Sequence, residues 1–314
     1  MTRFTDLVGC EHPIQLAAMS PTATPALGAG ISNLGGLGML AIGRPTRAAA
    51  QAQVDDVLAL TDRPVGAGFL VVFLDRQILE DVAARLPVIE FFWGWPDADL
   101  VLDGLITGWQ VGTVDEAKAA VDAGCRYVVA QGVEAGGHVR GVIPLAELVP
   151  AVRAAVDIPV VAAGGIGTAA AVRTALLRGA HAVRIGTRFV ATVESDAHDH
   201  YVDLLVRSSA GDTVLTERFD VGWPNAPVRV LASSLAAAEQ SPDGTVAQMA
   251  LPDGSVADIP RFSTTPPNRS TTGNLDAMAL YAGTSVDAVT ERTTLANVMN
   301  ELLAGTRPAE TKPV

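Results

Sequence analysis

Basic residues are scarce in this 314-residue chain and nowhere clustered: 22 Lys and Arg stand against 34 Asp and Glu, for a net charge of −12. A nucleic-acid-binding surface needs a basic face to neutralise phosphates, so that class is disfavoured, and the acidic surplus speaks to solubility more than to a partner. Cysteine is nearly absent. Cys10 and Cys125 form no C-x-x-C pair, so neither a disulfide framework nor a zinc site follows, and each reads as a buried or half-buried thiol in a reducing compartment. Aromatics reach only 5%. Met1 to Pro13 mixes charges early and lacks the apolar stretch of a signal peptide. From His12 to Gly43 charged residues are missing altogether, as in a membrane span, but Pro21, Pro25 and repeated glycines interrupt the run, and Gln15, Ser20 and Asn33 dilute it. It reads instead as buried strand, turn, helix and strand, with no membrane partner.

What the chain has in quantity is apolar bulk, 49% hydrophobic residues with a mean hydropathy of +0.30, mostly small or aliphatic. That composition suits helices packed closely on a parallel sheet. Apolar runs predict strands at Ile14 to Ala18, Leu37 to Ile42, Val65 to Val72, Val88 to Phe92, Leu105 to Gln110, Tyr127 to Ala130, Pro159 to Ala162 and Ala182 to Ile185. Helical stretches follow them. Thr24-Pro25, Thr113 with Glu116 three residues on, and Thr168 read as helix starts, whereas the helix around Asp97 to Leu102 is unusually short.

Eight strand-then-helix units with no second domain between them predict an α/β fold, a (β/α)8 TIM barrel, over residues 1–210. A doubly wound sheet is the alternative, but no G-x-G-x-x-G follows the first strand. Ser195 to Ser209 continues as a final barrel helix. Residues 211–314 are expected to be a C-terminal loop and helix extension packed on the barrel, not an independent domain. Within it Ser241 to Arg269 reads as an excursion of loops, Asp276 to Ala282 and Thr290 to Leu303 as closing helices, and Arg307 to Val314 as a frayed end.

Tyr127 to Gly141 holds the densest chemistry. The strand breaks into a loop carrying Gln131, Gly132, Glu134, Gly136, Gly137 and His138. Its glycines allow positive φ and the close approach of a flat ligand. Alone it reads equally well as a surface loop with an incidental histidine; at the C-terminal end of a barrel strand it reads as an active-site loop. Gln131 is placed to hydrogen-bond the amide-like edge of a heterocycle, and His138 to act as base or as partner of an anionic substrate. Strands seven and eight end in Gly164-Gly165 and Gly186-Thr187, where barrels commonly build a phosphate site from backbone N–H groups and a helix N-terminus. Thr187 adds a hydroxyl there, and Arg184 or Arg188 a charge. Trp93 and Trp95, at the end of strand four, suit a larger substrate or the packing of the barrel mouth.

Taken together, Gln15-Leu16-Ala17-Ala18-Met19, Ser32-Asn33-Leu34-Gly35-Gly36-Leu37-Gly38, Ala130-Gln131-Gly132-Val133-Glu134-Ala135-Gly136-Gly137-His138, Ala162 to Gly167 and Arg184-Ile185-Gly186-Thr187-Arg188-Phe189 carry a family likeness. The chain resembles the nitronate monooxygenase family, formerly the 2-nitropropane dioxygenases, over roughly Pro13 to Glu194, with a weaker echo at Ala279-Leu280-Tyr281-Ala282-Gly283. The resemblance implies an FMN-containing oxidoreductase that oxidises alkyl nitronates, and by extension nitroalkanes, with O2. It implies His138 as the catalytic residue, no metal, and FMN contacts at Met19, Gly68, Gln131, Gly136, Gly137, Gly164, Gly165, Arg184, Gly186 and Thr187. The phosphate would rest on Gly165, Gly186 and Thr187, with the backbone near Met19 facing the ring. A cytoplasmic place and, as an open point, a homodimer complete the expectation. Three positions depart from the family pattern: Gly68 where Asn is common, Thr284 where Gln is usual, and Glu90 where a small polar residue is usual. Three alternatives stay open. They are an FMN-dependent enoyl-thioester reductase, a biosynthetic flavin oxidoreductase using NAD(P)H, and a non-redox barrel that binds a phosphate ligand.

Overall fold

The computed structural model describes residues 2–251 and 254–307. Eight parallel strands form one sheet: β1 (Ile14–Leu16), β2 (Gly38–Ile42), β3 (Val65–Leu70), β4 (Val88–Phe92), β5 (Ile106–Val111), β6 (Tyr127–Gln131), β7 (Val160–Ala163) and β8 (Ala182–Ile185). Each pairs in register with the next from β2 to β8, β8 pairs back to β1, and a bridge between Gln15 and Leu37 brings β1 to β2, rounding the sheet into a TIM barrel. Every residue of β6, β7 and β8 is buried, because helices cover the outside while side chains fill the inside.

Helix starts follow the expected chemistry. Thr24, Thr113 and Thr168 each accept a backbone N–H from three residues on, and Pro25 is the first helical residue. The reciprocal half of the box expected at Thr113 is absent. The Glu116 carboxylate accepts instead from the Gly112 N–H at 2.7 Å and from Arg140 Nε at 2.8 Å. After β4 only a 3-10 turn, Ala98–Leu100, stands in for a helix.

Several segments differ from expectation. A helix at Arg3–Val8, begun by a Thr2 capping box, carries the fully buried Phe4, whose ring meets Tyr127 edge-on at 5.4 Å and plugs the barrel's lower end. The stretch read as loops from Ser241 to Arg269 contains two strands, Thr245–Ala250 and Val256–Pro260, joined antiparallel with Thr271–Gly273 into a second sheet. Its Pro, Asp and Gly residues lie in the turns and hide the short alternating segments between them. Asp276 to Ala282 is not a helix: after a 3-10 turn at Leu275–Ala277 the chain runs extended, and Tyr281 bridges to Val230. The later helices are shorter than expected, Asp199–Arg207 and Leu295–Leu303. Of the frayed end expected over Arg307 to Val314, all but Arg307 lies outside the described residues. Among the described residues no helix is long and apolar enough to cross a membrane.

The barrel interior holds a buried polar layer from five strands. Arg184 of β8 pairs with Glu90 of β4, and both are nearly sealed from water. The guanidinium also donates to Gln15 Oε1 of β1 at 3.0 Å and to Gln110 Oε1 of β5 at 2.6 Å. Glu90 further accepts from Tyr127 of β6 at 3.0 Å and from Gln15 Nε2 at 3.3 Å. Burial first, and then the Glu90 charge, hold the Tyr127 hydroxyl well above its ordinary pKa, so it stays a donor.

Candidate functional site

A cavity of about 680 Å3 opens at the C-terminal ends of the strands, a size within the usual range for small-molecule and cofactor sites. All eleven residues expected at the site line it: Met19, Gly68, Gln131, Gly136, Gly137, His138, Gly164, Gly165, Arg184, Gly186 and Thr187. They come from the ends of five different strands and the loops that follow them, and the barrel alone makes them neighbours.

His138 is held from both sides. Gly137–His138 forms a short strand antiparallel to Val228–Arg229, a pairing that joins the loop after β6 to chain far downstream. Gln131 braces the same turn, donating to the His138 carbonyl at 2.9 Å and accepting from the Arg140 N–H at 3.0 Å. One N–H and one lone pair of its amide are therefore committed to the loop, while the side chain still lines the cavity. The imidazole lies face to face with Trp223 at 3.8 Å, with Trp93 edge-on at 5.8 Å and Tyr281 at 5.9 Å. Its Nε2 is closed off from solvent and has no hydrogen-bond partner. Loss of hydration among these rings, and secondarily the Arg44 charge, push the His138 pKa down to about 3, so the ring is neutral across the ordinary pH range. A neutral imidazole meets an anion by hydrogen bonding rather than by charge.

The glycine cradle lies across the mouth. Gly165, at φ +67°, uses a left-handed backbone, and an added Cβ would sit 3.0 Å from Thr284 Oγ1. Thr187 Oγ1 accepts the Gly283 N–H at 3.1 Å, which leaves the hydroxyl hydrogen free for another acceptor. A Cβ at Gly186 would make only ordinary contacts, 3.4 Å to Met19 Sδ and 3.5 Å to Ala17 Cβ, so nothing in the chain itself demands glycine there. Space is kept beside the cavity instead. At Gly68, by contrast, a Cβ would come within 2.9 Å of Ala18 Cβ, which accounts for a residue without a side chain. The Met19 carbonyl accepts the Ala23 N–H at 2.6 Å, fixing the turn that puts Met19 beside Gly186.

The two arginines expected to add charge at the cradle are spent elsewhere. Arg184 is the cation of the interior layer, and Arg188 pairs with Glu301 and donates to the Ala288 carbonyl. The tryptophan pair splits as well. Trp93, with φ +62°, turns inward to the His138 cluster, whereas Trp95 is 60% exposed. The residues missed from sequence are Trp223, which carries no motif, and Arg44, whose guanidinium covers the Phe73 ring at 3.7 Å and donates to the Gly222 carbonyl at 2.6 Å.

Comparisons with known proteins agree with this architecture. The sequence profile of nitronate monooxygenase matches residues 1–88 and 74–305. A nitronate monooxygenase of Pseudomonas aeruginosa is 34% identical over 267 residues, covering 68% of this chain and 76% of that one. An octahydro-indene-carboxyl-CoA dehydrogenase of Rhodococcus jostii is 34% identical over 239 residues, and the match spans 74% of this chain and 66% of that one. Among solved structures, FabK from Thermotoga maritima superposes with a TM-score of 0.78 at 27% identity, covering 97% of this chain and 96% of that chain. Nitroalkane oxidase from Streptomyces ansochromogenes superposes with a TM-score of 0.73 at 26% identity, covering 97% and 99%.

Proposed function

The chain belongs to the nitronate monooxygenase family and is an oxidoreductase, and from that premise we propose that it binds FMN in the barrel mouth and oxidises alkyl nitronates with O2. The observation that carries the reading is the unpartnered, water-shielded Nε2 of His138, set among three aromatic rings at the rim of a cavity that also holds the glycine cradle. A buried polar atom without a partner is costly, and a substrate oxygen would satisfy it. The residues present suit FMN: Gly186 keeps room that the protein does not itself use, and the Thr187 hydroxyl hydrogen is free for a phosphate oxygen. FMN, when bound, supplies the electron transfer between substrate and O2.

The chain's own part is orientation, exclusion of water and hydrogen bonding. Trp93, Trp223 and Tyr281 keep the imidazole dry and fix its plane. With its pKa near 3, neutral His138 is a weak base but can hydrogen-bond a substrate oxygen through Nε2–H. This favours nitronates, which arrive already ionised, over nitroalkanes, which must lose a proton first.

The test is an anaerobic absorbance titration of purified protein. A nitronate alone should bleach the flavin bands, and the corresponding nitroalkane should do so far more slowly. Bleaching by NADPH alone would move the function to a reductase, the reading favoured by the likeness to a CoA-thioester dehydrogenase. A Gly186→Val variant should fold but purify colourless, because its side chain fills the space beside the cradle. Retained flavin in that variant would displace the cofactor from the proposed place.

A further inference from the structure

The cavity does not end at the barrel mouth. A second space of about 320 Å3 adjoins it, and the two share Ile42, Gly43, Arg44, Phe69, Leu70 and Phe73 along their walls. The shared wall is apolar except for Arg44. Asp75 also lines this annex, but its carboxylate accepts the Gln77 and Ile78 N–H groups at the start of the next helix.

Among the described residues that line the main cavity, the arginines are Arg44 and Arg184. Arg184 is neutralised by Glu90. Arg44 has no carboxylate within salt-bridge distance among the described residues; its partners are the Phe73 ring and the Gly222 carbonyl. Its position is fixed by that stack, and the remaining N–H groups along the guanidinium edge are free to meet a planar anion. Phe73 in turn meets Trp223 edge-on at 5.2 Å, and Trp223 lies on His138, so Arg44, Phe73, Trp223 and His138 form one chain of contacts. The site's free positive charge and its neutral imidazole thus flank the same opening.

We propose that Arg44 is the anion-binding residue of this site and that the annex beside it takes the substrate's apolar tail, so that the substrate class is an alkyl chain ending in a planar two-oxygen anion. The guanidinium grips the two oxygens in its fork while the chain runs into the apolar annex. That the anion is a nitronate rests on the function proposed above; the anion site and the annex do not. His138 can then hydrogen-bond the anion without supplying charge.

Linear carboxylates from acetate to hexanoate are unreactive isosteres of alkyl nitronates and probe the site by calorimetric titration of the flavin-loaded protein. Affinity should rise roughly three- to fourfold per methylene as the chain enters the annex. Arg44→Met should weaken every member at least about tenfold, and Arg44→Lys should recover part of that loss. Gly43→Val provides the second arm. Nothing lies within 4 Å of a Cβ at Gly43, so the variant should fold with its side chain in the shared wall, and the dependence on chain length should flatten. Unchanged affinities in Arg44→Met, or an unchanged slope in Gly43→Val, would overturn the proposal. If the carboxylates behave as expected and no nitronate bleaches the flavin, the anion site stands and the nitronate reading falls. If nitronates react and Arg44→Met keeps the native KM, the reverse holds.

Discussion

At the scale of single residues, the surroundings of His138 set its protonation state. In the unfolded chain its imidazole titrates at about 6.5, and burial pushes it down to about 3 in the folded one. Between those values the unfolded chain binds a proton that the folded chain refuses, so stability falls as pH drops from about 6.5 toward 3 and is indifferent to His138 above that window. Activity carries a matching signature. kcat/KM for a preformed nitronate should show no ionisation belonging to His138 between about pH 5 and 8, and His138→Asn should lower turnover on the order of 100-fold while leaving flavin bound. A pH profile with a midpoint near 6.5 that vanishes in the variant would contradict the neutral ring. The place of the Gly-Gly-His loop after a barrel strand raised the expectation of function, and the structure puts His138 at the cavity. Its protonation state was not legible, because that depends on Trp223, a residue far along the chain with no motif around it.

At the scale of elements, the loop after β6 is a fitted part rather than a flexible one. Its turn is closed by Gln131, paired to Val228–Arg229, and pressed against Ala282 and Gly283. A Cβ at Gly136 would stand 2.5 Å from the Gly283 nitrogen and 2.8 Å from the Ala282 carbonyl carbon. Both are backbone atoms and cannot rotate aside. Gly136→Ala should therefore cost about 1–3 kcal/mol, seen as a fall of several degrees in the thermal midpoint, and should weaken catalysis by moving His138. An unaltered midpoint would mean that the two backbones lie farther apart. The glycines themselves stood out in the sequence, but a reader of local pattern assigns them all to a ligand. Contacts show a division: Gly136 makes room for the protein's own chain, and Gly186 keeps space beside the cavity.

At the scale of the whole molecule, the buried layer of Glu90, Arg184, Gln15, Gln110 and Tyr127 ties five strands across the barrel. Such a pair adds little to stability when intact, because desolvation offsets the attraction, but removing one partner leaves a buried charge uncompensated. Glu90→Leu should destabilise the protein by about 3–5 kcal/mol in denaturant unfolding, and the double variant Glu90→Leu with Arg184→Met should recover most of that loss. Additive losses in the double variant would show that the two side chains do not act as a pair. The same layer explains why a glutamate interrupts an apolar strand, which from sequence alone was a departure without a reason.

The barrel was readable in the chain because its signals are local. Short apolar runs form the strands, a threonine opens each of several helices, and glycine follows the strands at the cavity, as Gly164, Gly165 and Gly186 do. The N-terminal helix and the second sheet escaped notice because six-residue and five-residue elements leave too short a period to recognise. The electrostatics of the site escaped for a different reason. Arg44 meets Gly222 across 178 positions, and Arg184 meets Glu90 across 94. Charge, hydration and stacking depend on distances in space, so which arginine is neutralised, which is free, and whether the histidine carries a proton were set only when the barrel closed.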